Sequence, residues 1–394
     1  MKKVQILSLI MAILLVGGCA GKKESIKIGF IGPLTGDAAN YGKLMTQAIR
    51  IAVDEFNANG GIEGHPIEFI AEDDEGKVEK ANIAIEKLIK VNRIFGFVGA
   101  VFSSSSLAIA PRAQQNKVIM ITPSSTHKDL TSKGDFIFRN VLSDQLQAQV
   151  FAMYVYKVMG IRRVAVLYLK NDYSQGLAED FKARFEKLGG VITAMESGQQ
   201  GDKDFKAQLT KIKGTGPEAL YMPDYVAEMA QILEQAHQLG LKAKILSADG
   251  YSNPQIFDLA GDLADGVIFS NSAEEEAIKN PVRQEFEKKY QEKWGVKPDS
   301  FSLNSYDAAV ILIKAIEKVY NESSPADREK LNLNRDRIRE VVAQTSGYNG
   351  VSGVITFLPN GDAMKNVGIF MAKDKKYTQL GVYQIENDKL VEVK

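Results

Sequence analysis

The chain has 394 residues, 45% of them hydrophobic, with 49 lysines and arginines against 49 aspartates and glutamates. A formal net charge of zero leaves no basic field to hold a phosphate backbone, so nucleic acid is excluded as the expected partner. This length exceeds what one hydrophobic core usually serves, and two lobes are expected.

The first feature in chain order is a leader. Met1-Lys2-Lys3 is followed by a nearly unbroken apolar run from Ile6 to Val16, then Gly17-Gly18-Cys19, and Cys19 is the only cysteine. This is the pattern of a bacterial secretory signal ending in a lipobox. The run is too short to span a bilayer, which takes about 20 apolar residues. Residues 1–19 are therefore read as a lipoprotein signal peptide and Cys19 as the lipidated N-terminus of the mature protein. Residues 20–25 are a polar tether. The expected location is the periplasm or cell surface, held to a membrane through Cys19. With Cys19 lipidated, no disulfide can form within the mature chain.

Strand and helix patterns then alternate. Residues 26–31 form a β-prone run closed by Gly32-Pro33. Met45, Ala48, Ile49, Ala52, Val53 and Phe56 recur at helical spacing, and Asn59-Gly60-Gly61 ends that helix. A strand at 67–71, a helix at 78–89, strands at 95–98 and 118–122 and a helix between them follow. The pattern restarts at 164–169. It continues through a helix near 177–188, a strand at 191–195, and a helix with Met229, Leu233, Ala236 and Leu239 on one face. Residues 281–342 read as mostly helical, and Pro359-Asn360-Gly361-Asp362 as a hairpin turn. Strands separated by helices of ten to fifteen residues imply right-handed βαβ units and parallel sheets. Two such series, with no floppy linker, imply two doubly wound α/β lobes on a hinge.

The segments 28–36 (Ile-Gly-Phe-Ile-Gly-Pro-Leu-Thr-Gly), Tyr41-Gly42 and 52–62 (Ala-Val-Asp-Glu-Phe-Asn-Ala-Asn-Gly-Gly-Ile) resemble the opening of the leucine/isoleucine/valine-binding protein family. The likeness runs through 99–106, 121–126, Asn171 to Gly176, Asp224-Tyr225, Ser247 to Gly250, Asn304 to Ala309 and Gly350 to Gly353. These are periplasmic solute-binding proteins that feed ATP-driven importers. The resemblance implies a type I periplasmic-binding fold, with two lobes joined by three crossovers and ligand trapped as the cleft closes. The crossovers would fall near 142–143, 270–272 and 365–368. Lobe one would comprise 26–142 plus 272–366, and lobe two 143–271 plus 367–394. Implied partners are a small amino acid, branched-chain or otherwise aliphatic, and an inner-membrane ABC permease. A monomer without cofactor or metal is expected.

The candidate ligand-binding residues are Tyr41, Ser103, Ser124, Thr126, Tyr173, Tyr225, Asp249 and Phe301. Ser103 opens a helix, where hydroxyls and free N–H groups suit an anion; plain N-capping fits equally well, and the family position points to a ligand carboxylate. Ser104 is read as a cap. Ser124 and Thr126 follow a strand, where parallel sheets line their crevice; the alternative is an ordinary turn after Pro123. Asp249 also follows a strand and could pair with an α-ammonium, or could simply bond its own backbone in a turn. The family usually carries glutamate there. Tyr41, Tyr173, Tyr225 and Phe301 match aromatic positions that can wall an apolar side chain, against the common alternative of half-exposed packing. Phe102 stands where the family has one of a pair of cysteines.

An enzyme is not expected. His65, His127 and His237 are scattered, and there is no Gly-x-Ser-x-Gly, metal-type histidine spacing or phosphate-cradling loop. Glu72-Asp73-Asp74-Glu75-Gly76 lacks the spacing of a calcium loop and is read as a solvated turn. The rival readings are a sensory binding protein reporting to a membrane partner, or an importer component carrying an amide, urea or aromatic acid.

Overall fold

The computed structural model describes residues 23–273 and 279–393. The signal sequence and Cys19 lie outside the described residues. Among the described residues, no helix is long and apolar enough to cross a membrane.

Two sheets organise the chain. The first holds five parallel strands in the order β2-β1-β3-β4-β5: β1 (Ile26–Gly32), β2 (Ile67–Asp73), β3 (Gly96–Gly99), β4 (Ile119–Thr122) and β5 (Ile137–Arg139). The helices α1 (Ala39–Ala58), α2 (Val78–Lys87) and α3 (Ser103–Gln115) connect its first four strands. The apolar positions of α1 at Met45, Ala48, Ile49, Ala52 and Val53 are all buried, as their helical spacing predicts. Phe30 and Phe97 are fully buried in this lobe. Burying each such ring contributes roughly 1.5–3 kcal/mol.

The chain then enters a second sheet through α4 (Asp144–Lys157), whose N-cap Ser143 accepts from the Leu146 N–H. Next come β6 (Arg163–Leu169), α5 (Asp172–Lys187), β7 (Val191–Gly198), α6 (Lys206–Gly214), β8 (Ala219–Tyr221), α7 (Val226–Gln238) and β9 (Lys244–Ser247). After α8 (Gln255–Ala260) the chain adds β10 (Ile268–Ser272) to the same sheet. Helices Pro281–Trp294 and Ser300–Glu322 return to pack on α1. The small hairpin of β11 (Tyr348–Gly350) and β12 (Gly353–Ile355) follows. Finally β13 (Val367–Lys373), β14 (Lys376–Glu386) and β15 (Lys389–Glu392) join the second sheet, giving β15-β14-β13-β10-β9-β8-β6-β7. The last three strands run antiparallel, so this sheet is mixed, with an antiparallel extension that the βαβ pattern does not signal.

The two-lobed α/β expectation is borne out, and the chain passes between the sheets three times. The turn at Pro359–Asp362 also forms: the Leu358 N–H donates to the Asp362 carbonyl at 2.7 Å beneath an isolated Phe357–Ala363 bridge. In both sheets the strand order reverses at a switch point, beside β1/β3 in one and β6/β8 in the other. Crevices outside the carboxyl ends of strands at such points are where ligands bind in open α/β sheets.

Candidate functional site

The carboxyl ends of both sheets converge on one enclosed space, lined by Tyr41, Phe102, Ser103, Ser124, Tyr173, Tyr225, Asp249, Gly250 and Phe301 with Val101. Seven of the eight predicted residues therefore meet. The exception is Thr126, which is buried one layer back. Its carbonyl accepts from the Asp144 N–H (2.8 Å) and from Arg139 Nη1 (2.7 Å).

Each side chain arrives by a short local device. Ser103 is the first residue of α3, behind β3, and its buried Oγ meets no partner within the protein. Ser124 follows β4, and its hydroxyl donates to the Val101 carbonyl at 2.7 Å. Its N–H is directed at the Thr122 hydroxyl oxygen at 3.4 Å. From the second sheet, Asn171 caps α5 by accepting from the Ser174 N–H at 2.9 Å, which sets Tyr173 in the first turn. Tyr225 caps α7 after β8. Asp249 follows β9.

Asp249 is buried, and both its donors, Gln147 Nε2 (2.7 Å) and the Tyr173 hydroxyl (3.0 Å), bond the same oxygen, Oδ1. Burial pushes its pKa up to about 6 against those two bonds. Gly250 beside it has no room for a Cβ, which would sit 2.4 Å from the Asp224 carbonyl and 2.9 Å from the Tyr173 hydroxyl. The Gly250 N–H donates to that same hydroxyl at 2.9 Å. Tyr173 is thus fixed by the turn it serves.

The aromatic wall is continuous. Tyr225 stacks on Tyr173 with ring centroids 5.1 Å apart and on Phe102 at 4.1 Å, while Tyr41 meets Phe102 and Phe301 edge-on at 5.8 and 5.4 Å. Phe102 also touches the β2–α2 loop, where a Cβ on Gly76 would lie 2.8 Å from its ring. The cavity left between these groups is about 20 Å3, roughly what one buried water needs. Anything larger than a water enters only if the lobes part or Phe102 turns.

Contacts across the cleft hold the two lobes closed. The Tyr41 hydroxyl donates to the Gly250 carbonyl (3.0 Å) and accepts from the Val226 N–H (3.2 Å). Asn40 Nδ2 donates to Asn253 Oδ1 at 2.9 Å, and Ser104 Oγ donates to the Asp172 carboxylate at 2.5 Å. Ser104, read as a cap, instead bridges the lobes.

Three residues at the site are missed by sequence reasoning. Asp144 is fully buried at the start of α4; among the described residues neither carboxylate oxygen has a well-formed hydrogen bond, and the nearby Thr126 hydroxyl only partly offsets its burial. Burial first, and then the nearby charge of Asp249, push its pKa well above the carboxylate range. Gln147, one turn on, supplies the donor to Asp249. Asp74 corrects the reading of 72–76 as a solvated turn: its side chain is fully buried, one oxygen accepting from the Gly76 N–H, and burial raises its pKa to about 6. An acidic run that follows a strand gives no signal of which carboxylate turns inward. Among the described residues, no group of histidines, cysteines or carboxylates is arranged to hold a metal ion.

Residues 25–376 match the family model described as periplasmic binding protein. The leucine-, isoleucine-, valine-, threonine- and alanine-binding protein of Pseudomonas aeruginosa is 32% identical over 336 residues, 84% of this chain and 88% of that protein. A Leu/Ile/Val-binding protein homolog from Brucella melitensis is 33% identical over 77% of this chain and 82% of its own length. Among solved structures, the leucine-binding protein LivK of Thermotoga maritima superposes with a TM-score of 0.83 at 33% identity, covering 91% of this chain and 98% of that one. LivJ of Streptococcus pneumoniae, solved with isoleucine, gives 0.80 at 26% identity over 94% and 100%.

Proposed function

This chain belongs to the periplasmic binding protein family, and from that premise we propose that it is the solute-binding component of an ABC importer, capturing a small aliphatic amino acid between its lobes. The observation that carries this reading is the division of labour at Asp249. Gln147 and Tyr173 both occupy Oδ1, so Oδ2 is left for a cation from the cleft, as an α-ammonium would be. Across the cleft, the unpartnered Ser103 hydroxyl at the first turn of α3 suits the α-carboxylate. Tyr41, Phe102, Tyr225 and Phe301 wall the side chain, with Ser124 offering its backbone carbonyl to the ammonium and Thr126 supporting from behind. The Pseudomonas aeruginosa relative is named for binding leucine, isoleucine, valine, threonine and alanine, and LivJ was solved with isoleucine, which agrees with the apolar character of the wall.

We take lobe one as 26–142 plus 272–366 and lobe two as 143–271 plus 367–394. Lobe one receives the ligand in the open form, and lobe two closes over it. A ligand shifts that balance only by its preference for the closed form, and Tyr173, Tyr225 and Asp249 supply the preference. The protein works as a monomer without cofactor and without catalysing a reaction. It lies outside the cytoplasm, held to the membrane through a lipid on Cys19. Calorimetry on the chain from Ala20, refolded to strip carried ligand, tests the ligand reading. Aliphatic L-amino acids should bind at micromolar levels or tighter, about −8 kcal/mol. Binding only of ligands without an ammonium would overturn the role given to Asp249. Mass spectrometry of the membrane-extracted protein tests the lipid.

A further inference from the structure

We propose that the base of lobe one, beside the tether, is a docking surface for the phosphate headgroups of anionic membrane phospholipids; this rests on the lipid anchor proposed for Cys19. A groove of about 510 Å3 opens there, lined by Glu24, Lys27, Lys90, Arg93, Lys330 and Arg335 among others. Five cations face one carboxylate in a chain whose net charge is zero.

The cations are only partly offset by nearby carboxylates. Lys27 and Arg93 enter no ion pair among the described residues. Arg335 has no carboxylate partner: its guanidinium donates to the carbonyls of Ile94 (2.9 Å), Lys117 (3.3 Å) and Phe95 (3.4 Å) and lies over the Phe95 ring. Lys90 pairs with Glu86 one turn away, and Lys330 lies near Asp327, whose oxygens already accept from Ser324 and Asn332. Glu68 accepts from the Ser25 hydroxyl. These carboxylates reduce the positive field without cancelling it.

The tether says what the groove meets. Four Cα steps separate Cys19 from Lys23, a span of at most about 15 Å. Glu24 and Lys27, a few residues on, line the groove itself. A tether this short lets the face come into contact with the headgroups, where exposed charges lie within one Debye length and are little screened. Basic residues that reach within about a Debye length of an anionic leaflet are drawn to it. The acyl chains supply the anchoring, and the groove sets orientation.

All strands and core residues described lie at or after Ile26, so the chain from Ala20 carries the whole fold. That chain, without lipid, should cosediment with vesicles of equal phosphatidylglycerol and phosphatidylcholine at low salt, at least tenfold better than with phosphatidylcholine alone. The variant Lys27→Gln/Lys90→Gln/Arg93→Gln/Lys330→Gln should lose at least tenfold of that binding and keep its affinity for amino acids. A control of equal net charge, Lys170→Gln/Lys203→Gln/Lys206→Gln/Lys242→Gln on lobe two, should lose less than threefold. Equal binding to both vesicles, or an equal loss in both variants, overturns the proposal. So does abolition of vesicle binding by millimolar inorganic phosphate at constant ionic strength, which would mark a site for free anions. Because this chain carries no lipid, the outcome is independent of whether Cys19 is acylated.

Discussion

The Tyr173 hydroxyl donates to Asp249 Oδ1 at 3.0 Å while accepting from the N–H of Gly250 at 2.9 Å. One side chain thereby orients the carboxylate and is oriented by the turn that carries it. Both side-chain donors fall on Oδ1, which leaves Oδ2 without a side-chain donor among the described residues. Asp249→Ala should therefore cost more than a hundredfold in affinity for an amino acid, since removing one member of a buried pair costs about 3–5 kcal/mol. Asp249→Asn keeps the shape and should lose the affinity without loss of thermal stability. Calorimetry alongside thermal melts checks both, and unchanged affinity in either variant removes Asp249 from the ammonium site.

The same carboxylate sets a pH dependence. Burial holds its pKa at about 6 in the unliganded protein. An ammonium ligand prefers the ionised form, so binding should be flat from pH 7 to 8. Below about 6 it should weaken by roughly tenfold per unit, with uptake of the ligand releasing a proton. Titrations in buffers of different ionisation enthalpy read that proton directly, and the effect should vanish in Asp249→Asn.

Phe102 limits the size of the occupant. Its ring is stacked at 4.1 Å on Tyr225 and edge-on to Tyr41, inside the space a ligand side chain would take. Phe102→Ala should lower stability by about 3–5 kcal/mol and shift selectivity toward larger side chains. The ratio of leucine to phenylalanine affinity, measured by calorimetry, should fall at least fivefold. An unchanged ratio would place the ring outside the ligand's reach.

Much of this was legible in the sequence because it depends on period and chain order. The helical face of α1 and the strand runs 26–31 and 164–169 are patterns of burial, and the positions of Tyr173 and Tyr225 follow from strand-then-helix order. What escaped depends on three-dimensional direction. Phe102 counts in the sequence only as a lost cysteine, although its ring fills the cleft. Asp144 has the signature of a first-turn acid favoured by the helix dipole, and nothing local reveals that it is buried beside Asp249. Ser104 satisfies the rules for a cap, yet its partner, Asp172, lies 68 residues away on the other lobe. The antiparallel extension β13–β15 is likewise a long-range pairing that no βαβ pattern encodes.

The lobe-to-lobe hydrogen bonds make closure partly independent of ligand. Ser104→Ala removes the bond to the Asp172 carboxylate and the one accepted from the Asp172 N–H, and Tyr41→Phe removes those to Gly250 and Val226. Each hydrogen bond contributes about 0.5–1.5 kcal/mol, so a variant that loses two should bind its amino acid about five- to a hundredfold more weakly. The unliganded variants should show a larger radius of gyration in solution scattering, with the liganded radius unchanged. A drop in affinity without that opening would assign these bonds to the ligand site instead of to closure.

Several buried carboxylates carry raised pKa values: Asp74 and Asp249 to about 6, Asp224 to about 8, and Asp144 and Asp307 in the same direction, in each case first through burial. Their unfolded value is about 3.9. A carboxyl whose folded pKa lies above the unfolded one binds its proton more tightly when folded. Its stabilising effect is complete below about pH 4 and is lost as pH rises through 6 to 8. Asp73, held low by the Thr35 hydroxyl and the Leu34 and Glu75 N–H groups despite its own partial burial, works the other way and favours the fold above pH 4. The unliganded protein should accordingly melt highest near pH 5 and lose at least about 3 °C by pH 8. Asp224 accepts from the Leu169 N–H at 3.0 Å and from Ser174 Oγ at 2.5 Å, and it dominates the upper part of that window. Asp224→Asn should flatten the decline between pH 6 and 8. A melting temperature that rises steadily from pH 5 to 8 would show that these carboxylates are ionised and satisfied in the folded protein.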